Sequence, residues 1–297
     1  MEAAHEGIEQ LCDNFALVMH DWSRLGFRKH KSKRDTKKLS HEGDVGYDLA
    51  TSLVVSDRSG SPITAVLQNL VTKDGLWSSR ASEIRSDVLP HLDELSGSMA
   101  WLKEQGFAKR LVHIVDREAD SVGHWRQWHT AGHLWLLRIK GGSRLVYQNQ
   151  DVSAAAVADG LSFRYARDVV IHGKPARQLV AETTVTVTRN ARPKRKNAKG
   201  RRMAPVPGET LTARLVVSRI EDEQGNRLAV WYLLSNVEQD VPAERLVLWY
   251  YWRWNIESFF KLIKQAGQQL ESWEQETALR VGQGRRMSAW IAVSDFA

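Results

Sequence analysis

The order of short apolar runs along the chain is the feature that most constrains its fold. Strand-like runs occur at Phe15–Met19, Tyr47–Ser56, Ile63–Thr72, Leu111–Val115 and Leu134–Ile139. The second and third runs flank a turn sequence that contains Gly60 and Pro62, so they predict a hairpin. Helical spacing predicts one helix that ends near Gly106 and another that contains Trp125 and Trp128. The order of strand, hairpin, helix, strand, helix and strand indicates an α/β fold.

Two of these runs are followed by an aspartate. One residue, His20, separates the run Phe15–Met19 from Asp21, and Asp116 follows the run Leu111–Val115 directly. We therefore expect each aspartate at the end of a buried strand. For either aspartate alone, a turn-forming role at the strand end is about as well supported as a functional role.

A third acidic residue lies in the segment Trp249–Lys264, which has the spacing of one long helix that begins near Asp240 and ends near Gly267. On such a helix Tyr250, Arg253, Glu257 and Lys264 fall within an arc of roughly 60°. This stripe would place a carboxylate that can bind a metal beside groups that can bind a polyanion. A solvated helix face with an Arg253–Glu257 pair is the alternative interpretation.

Composition limits the classes of partner. The 297 residues carry a net charge of +7, and the isoelectric point is near 9.5, so a polyanion such as nucleic acid is favoured. Acidic lipid is less favoured, because neither an amphipathic basic helix nor a lipidation signal is present. The sequence shows neither a signal peptide nor a membrane-spanning run, which predicts a cytoplasmic protein. Cys12 is the only cysteine, which excludes an intrachain disulfide and a cysteine-rich zinc site.

The pattern of residue types changes between about residues 141 and 236, where β-branched residues alternate with polar ones and helix signals are scarce. We predict three segments: residues 1–140 as the first part of a catalytic core, 141–237 as a β-rich insertion, and 238–297 as the helical remainder that carries Glu257. Arg192–Arg202 is a basic loop inside the insertion, and Arg195 and Lys196 are its candidate phosphate contacts. The basic stretch Arg28–Lys38 is either a solvated loop or a surface that faces DNA.

Cleavage of a phosphodiester by two metal ions requires several carboxylates that converge on hard cations. Asp21, Asp116 and Glu257 are the only set here predicted on two adjacent strand ends and one helix face. They are therefore the candidate catalytic residues and the candidate ligands of two Mg²⁺ ions, with Mn²⁺ as a possible replacement. A metal site built on His129 and His133 is weak, because Gly132 disfavours a rigid helix and no further ligand completes the pair.

Three motifs together resemble bacterial insertion-sequence transposases of the DDE type. Tyr250-x2-Arg253-x3-Glu257-x6-Lys264 resembles the Tyr-Arg-Glu-Lys signature of the insertion-sequence-four-like family. VMHDWSRLGF at residues 18–27 resembles the block around the first aspartate, and IVDREAD at residues 114–120 is close to the block around the second. The resemblance covers most of the chain, from about Phe15 to Lys264.

The resemblance implies a ribonuclease-H-like core, a mixed sheet with flanking helices, interrupted by a β-rich insertion. It implies cut-and-paste transposition, in which the enzyme hydrolyses and transfers strands at transposon ends through a DNA hairpin. Tyr250, Arg253 and Lys264 would then hold phosphates, and Trp231, supported by Trp254, would stack on a flipped base. A core role for Trp231 is the alternative. The implied partners are the inverted-repeat ends, target DNA and a second subunit in a homodimeric synaptic complex, in a bacterial cytoplasm at the nucleoid.

Twenty residues precede Asp21 and thirty-three follow Lys264, fewer than members of the family usually carry. This comparison predicts a truncated or inactive remnant of a transposase. A metal-dependent DNA nuclease and a non-catalytic nucleic-acid-binding protein are the alternative functions. Metal-dependent cutting would separate the enzymes from the binding protein, and strand transfer would separate a transposase from a nuclease.

Overall fold

The computed structural model describes residues 1–28, 30, 32–41, 43–81, 83–171, 173–193, 200–201, 203–266, 270–272 and 275–281. The chain divides into two compact units. The first unit comprises residues 1–111 together with residues 252–297, and the second comprises residues 112–251. These units are defined by compactness alone, so the predicted division into a catalytic core and a β-rich insertion stays a prediction.

The first unit is built around an antiparallel sheet. Its elements before the second unit begins are α1 (Glu2–Leu11), β1 (Phe15–Gly26), β2 (Lys37–Lys38), β3 (Val45–Ser56), β4 (Pro62–Val71), β5 (Leu76–Ser78) and α2 (His91–Glu104). Its strands pair in the order β5, β4, β3, β1, and the short β2 pairs with the beginning of β3. The predicted hairpin of two strands is confirmed as β3 and β4.

Strand β1 is longer than its apolar run predicts. Phe15 to His20 are all buried, as in a strand covered on both faces, and the following residues of the strand are exposed at least in part, except for the buried Leu25. Asp21 lies opposite Thr51 of β3, five residues before β1 ends. The expectation that Asp21 ends a strand is therefore wrong. Pairing with β3 continues through the polar residues, since a neighbouring strand supplies hydrogen bonds whatever the side chains are.

The two helices of this segment pack through apolar side chains. Ile8 of α1 belongs to a core cluster that also contains Val18 of β1, Val54 of β3 and Leu102 of α2. Helix α2 buries Leu92, Leu95, Met99 and Leu102, which have the helical spacing seen in the sequence. Gly106 follows the helix with a φ of +66°, the left-handed conformation expected after a helix end.

The turn between β3 and β4 anchors two other parts of the first unit. The carboxylate of Asp57 accepts hydrogen bonds from the backbone N–H groups of Asp13, Asn14 and Phe15, at 2.7, 3.1 and 3.0 Å. These bonds fix the beginning of β1, the strand that carries Asp21. Gly60 has a φ of +77°, and a β-carbon there would lie 2.4 Å from Cε2 of Trp252. The turn therefore requires glycine for its backbone conformation and for contact with Trp252.

The second unit contains a mixed sheet and three helices among the residues described for it. Its elements are β6 (Arg110–Val115), which begins at the boundary, α3 (Val122–Thr130), β7 (Leu134–Ile139), β8 (Arg144–Tyr147), β9 (Gln150–Ser153), α4 (Ala154–Asp159), β10 (Arg164–Ile171), β11 (Lys174–Val187), β12 (Leu211–Glu221), β13 (Arg227–Ser235) and α5 (Ala243–Tyr251). The strands follow the order β6, β7, β13, β12, β11, β8, β9, and β10 pairs with β11. Strands β6 and β7 are parallel, and the remaining pairs are antiparallel. The predicted mixed sheet with flanking helices is confirmed.

The segment predicted as one long helix is interrupted. Helix α5 ends at Tyr251, helix α6 spans Trp254–Lys261, and a π-helical turn follows at Leu262–Ala266. Between α5 and α6 the backbone N–H of Asn255 bonds to the carbonyl of Trp252 at 2.9 Å, a tight turn in place of a continuous helix. Asn255 Nδ2 also donates to the carbonyl of Gly60 at 2.6 Å. The contact between Asn255 and Gly60 joins residues 195 apart in sequence, so helical periodicity could not reveal it.

In the part of the chain that the structure describes, no helix combines the length and the apolar character needed to cross a membrane.

Candidate active site

Two of the three candidate catalytic carboxylates meet at one arginine in the first unit. Arg253 Nη1 donates to Asp21 Oδ2 at 3.0 Å, and Arg253 Nη2 donates to Glu257 Oε1 at 2.7 Å. The Arg253 side chain is 9 % exposed, compared with 19 % for Asp21 and 40 % for Glu257. The guanidinium therefore lies between two carboxylates that are separated by more than two hundred residues of sequence.

Local structure explains how each carboxylate is presented. Asp21 lies in β1, and its Oδ1 accepts the backbone N–H of Trp22 at 2.8 Å. The ring of Trp22 stacks on His91, the first residue of α2, with 5.0 Å between the ring centroids. Glu257 lies in the first turn of α6, where the positive end of the helix dipole favours a carboxylate. Arg253 immediately precedes the helix and pairs with Glu257 at a spacing of four, but it is buried and not part of a solvated helix face.

The other members of the predicted stripe do not all share these surroundings. Tyr250 is buried near the end of α5, in the second unit, and therefore does not lie on one continuous helix with Arg253. This part of the helical interpretation is wrong, because the helix is broken at Trp252. Lys264 lies in the π-helical turn after α6, where partial burial lowers its pKa and Glu271 raises it to a smaller extent.

The two candidate base-stacking tryptophans differ in exposure. Trp254 is 51 % exposed, and its ring lies 5.7 Å from the Arg253 guanidinium carbon. Trp231 of β13 is half-buried and packs edge-on against Tyr250, with 5.5 Å between the ring centroids. Trp254 thus leaves about half of its surface accessible, whereas part of the Trp231 ring is used in packing within the second unit.

Asp116 lies in the second unit, directly after β6, as the sequence predicts. Its Oδ1 accepts the backbone N–H of Glu118 at 2.8 Å and so caps a 3-10 turn formed by Arg117–Ala119. Among the residues that the structure describes, no group of three His, Cys, Asp or Glu side chains is arranged to hold one metal ion.

The Asp120 carboxylate, at the end of the same motif, contacts side chains from later parts of the second unit. Arg189 Nη2 lies 3.1 Å from Asp120 Oδ1, and the Ser143 hydroxyl donates to Asp120 Oδ2 at 2.9 Å. The Arg189 guanidinium carbon is 5.3 Å from the ring of Trp125, whose Nε1 donates to the Ala119 carbonyl at 2.6 Å. Asp120 is therefore held by contacts inside the second unit.

These contacts form one wall of a cleft of about 460 Å³ in the second unit. Arg144, Arg189 and Arg192 line the cleft, together with Asp120 and Asp151. Arg144 pairs with Asp151 at 3.1 Å, and Arg192 has no ion pair with any residue in the described part of the chain. We call these five residues the arginine cleft. Arg192 belongs to the basic loop visible in the sequence, whereas Arg144 and Arg189 carry no local signal, because only the folded chain brings them near Arg192.

Two basic regions were predicted from the sequence, the loop Arg192–Arg202 and the stretch Arg28–Lys38, and the structure describes them to different extents. Arg195 and Lys196, the candidate phosphate contacts of the basic loop, lie outside the described residues. In the stretch Arg28–Lys38, Arg28 pairs with Asp44 and Lys37 pairs with Asp48. Lys33 is buried, and its Nζ donates to the carbonyl of Gln275 at 2.6 Å. Several cations of this stretch are thus engaged within the first unit, which neither the solvated-loop nor the DNA-facing interpretation anticipated.

Comparison with known families identifies the class of protein to which this chain belongs. The family model for the transposase DDE domain matches residues 91–282, well over half of the chain. The chain therefore belongs to the DDE transposase-domain family. The matched range includes Asp116 and Glu257 and begins after Asp21.

A solved structure also resembles this chain. It is the cryo-EM structure of the piggyBac transposase synaptic complex with hairpin DNA, with a TM-score of 0.42 and 9 % sequence identity. The match covers 96 % of this chain and 46 % of that chain, so this chain spans about half the length of the protein it resembles.

Proposed function

We propose that this chain is the catalytic part of a cut-and-paste DNA transposase of the insertion-sequence-four-like kind, which cleaves and transfers strands at transposon ends. The family match over residues 91–282 is the observation that carries this proposal. The grouping of Asp21, Arg253 and Glu257 in one unit adds support, because all three belong to motifs that resemble this kind of transposase.

The proposed catalytic residues are Asp21, Asp116 and Glu257. Asp21 and Glu257 offer hard oxygen donors, and both already contact one cationic group, the Arg253 guanidinium, so they suit a divalent cation. Asp116 is assigned from its motif. The chemistry that a pair of Mg²⁺ or Mn²⁺ ions would supply is activation of the attacking oxygen and stabilisation of the leaving oxygen. The protein contributes carboxylates whose orientation is fixed by β1 and α6.

The proposed DNA contacts come from several elements. Arg253 and Lys264 would hold phosphates, and Tyr250 and Trp231 would contact the transposon end from the second unit. Trp231 would stack on a base flipped out of the transposon end, and Trp254, whose ring is exposed, is the supporting candidate. Arg195 and Lys196 are proposed phosphate contacts on sequence grounds, and the arginine cleft adds Arg144 and Arg192.

The proposed partners are double-stranded DNA, as inverted-repeat ends and as target, and a second copy of the chain in a synaptic complex. The proposed site of action is the nucleoid in a bacterial cytoplasm. A metal-dependent nuclease is the second candidate function, because the same carboxylates would suffice for cutting. A nuclease would leave cut ends, whereas a transposase would also join them to target DNA.

Purified protein with Mg²⁺ or Mn²⁺ and DNA that bears its cognate inverted repeat tests the proposal. We expect nicking at the repeat followed by strand transfer, and we expect Asp116→Asn to abolish nicking while DNA binding persists. Asp159→Asn, which replaces an exposed aspartate of the same unit, is the matched control. Equal nicking by the wild type and Asp116→Asn would contradict the catalytic assignment. Binding without metal-dependent cutting would contradict the proposed enzyme and favour a binding protein.

A further inference from the structure

Arg253 occupies the position between the two carboxylates where a bound cation would carry its charge. Its two terminal nitrogens contact Asp21 and Glu257 separately, at 3.0 and 2.7 Å. The arginine therefore bridges a strand and a helix. A simple surface pair on one helix face would not link two elements in this way.

One guanidinium is shared between two carboxylates in this cluster, through separate N–H groups. Two carboxylates that approach each other without a cation repel, and the repulsion grows as solvent is excluded from between them. Arg253 reduces that repulsion and fixes the two carboxylates near each other. In the absence of a divalent cation, Arg253 can therefore keep Asp21 and Glu257 in position.

Because of these contacts, Arg253 and a divalent cation would compete for the same two carboxylates. Asp21 Oδ2 and Glu257 Oε1 are engaged by N–H groups, and a divalent cation would need oxygen atoms of the same carboxylates. A DNA phosphate would in turn need the N–H groups of Arg253, which bind phosphate in a two-pronged geometry. Arg253 cannot fully satisfy both carboxylates and a phosphate at the same time.

We infer that Arg253 is a positioning residue that exchanges the two carboxylates for a DNA phosphate, so that DNA binding frees Asp21 and Glu257 for a divalent cation. This inference rests on the proposed function and adds a linkage to it. The contact with Glu257 opens first, because Glu257 is more exposed than Asp21. Coupling between two ligands is reciprocal, so the cation raises the affinity for DNA by the same factor.

Mn²⁺ affinity, measured from the electron paramagnetic resonance signal of free Mn²⁺, tests this inference without DNA cleavage. We compare the wild type with Arg253→Gln, and we use Arg58→Gln as the matched control. Arg58 is an exposed arginine of the first unit that pairs with Asp13, so this variant changes the net charge equally. Circular dichroism without metal establishes that each variant is folded.

Without DNA, we expect Arg253→Gln to bind Mn²⁺ about fivefold or more tightly than the wild type, within the usual range of coupling between sites. Arg58→Gln should match the wild type. Weaker or unchanged binding by Arg253→Gln would overturn the inference, since a purely structural arginine would support the carboxylates and lose metal affinity when removed. Absence of Mn²⁺ binding in all three proteins would also overturn it.

A second measurement can be made on the wild type alone and therefore does not depend on the folding of Arg253→Gln: it follows the effect of DNA on Mn²⁺ affinity. A short duplex without the inverted repeat is added to the wild type, and Mn²⁺ bound by the duplex alone is subtracted. We expect the duplex to raise the Mn²⁺ affinity of the wild type, and to have little effect on a folded Arg253→Gln. A duplex that leaves the wild-type affinity unchanged would contradict the exchange.

The outcomes separate this inference from the proposed function. If the wild type nicks and joins DNA but Arg253→Gln binds Mn²⁺ no more tightly, the exchange fails and the transposase proposal stands. If Arg253→Gln binds Mn²⁺ more tightly but no protein cuts DNA, the cation competition stands and the proposed function fails.

Discussion

The Arg253 cluster of the first unit and the arginine cleft of the second unit both join arginines to aspartate or glutamate, but in opposite proportions. The Arg253 cluster has one arginine for two carboxylates, Asp21 and Glu257. The cleft has three arginines for two carboxylates, Asp120 and Asp151. Excess negative charge favours a cation, and excess positive charge favours a phosphate. We therefore expect the Arg253 cluster to respond more strongly to divalent cations and the arginine cleft to respond more strongly to phosphates.

We expect the largest difference between the two regions when one carboxylate is removed from each and the rate of metal-dependent nicking is compared. We expect Asp21→Asn to lower metal-dependent nicking by at least about 100-fold, since even groups that only support metal ligands cost 10–100-fold when changed. Asp151→Asn in the cleft should leave nicking within a few-fold of the wild type. Nicking rates at saturating DNA measure both effects. Equal losses in the two variants would erase the distinction between the regions.

Removal of arginines from the cleft should weaken DNA binding. We expect Arg144→Gln and Arg192→Gln each to lower DNA affinity roughly tenfold, the size of one charged hydrogen bond. The slope of log affinity against log salt concentration should become shallower by about 0.9 for each phosphate that the variant no longer neutralises. Fluorescence anisotropy at several salt concentrations measures both quantities. Arg227→Gln, at an exposed position of the same unit, is the control, and an equal effect there would show that only net charge matters.

Two glycines with a positive φ distinguish the turn that contacts Trp252 from an ordinary turn. Gly225 in the second unit has a φ of +83° and open space around it, so Gly225→Ala should cost about 1–2 kcal/mol from the left-handed backbone alone. Gly60→Ala should cost about 1–3 kcal/mol more, because its β-carbon would overlap Trp252. Urea denaturation measures the free energy of unfolding. Equal losses would mean that Trp252 moves without cost.

The smallest effect concerns Cys12, which lies in the first unit and is the only cysteine of the chain. Burial raises the pKa of the Cys12 thiol to about 11, so roughly a thousandth is thiolate at pH 8. We expect thiol reagents to label the native protein slowly and the unfolded protein quickly. Labelling rates in increasing urea then report the opening of the first unit alone. Fast labelling of the native protein would contradict the burial of this segment.

Much of the fold was accessible from sequence because its signals are local. The runs that became β3, β4, β6 and β7 and the helical spacing of α2 depend on neighbouring residues, and the structure confirms them. The position of Asp21 was less accessible, because the apolar run ends before β1 does. Pairing with β3 extends that strand through polar residues, and an apolar pattern cannot report such pairing.

Only part of the candidate site could be predicted from the sequence. The spacing of Arg253 and Glu257 predicted their pair, but the break between α5 and α6 depends on Trp252 and Gly60, which are distant in sequence. The contact between Asp120 and Arg189 likewise spans 69 residues. Such pairs form only after the strands have assembled, so a single sequence carries no local signal for them.

The crystal structure of the protein soaked in Mn²⁺, with an anomalous difference map, tests the central claim most directly. The account predicts a Mn²⁺ peak bound by carboxylate oxygens of Asp21 and Glu257, with the Arg253 guanidinium moved away from at least one of them. A Mn²⁺-saturated crystal in which Arg253 still bridges both carboxylates, and in which the metal binds elsewhere, would contradict it.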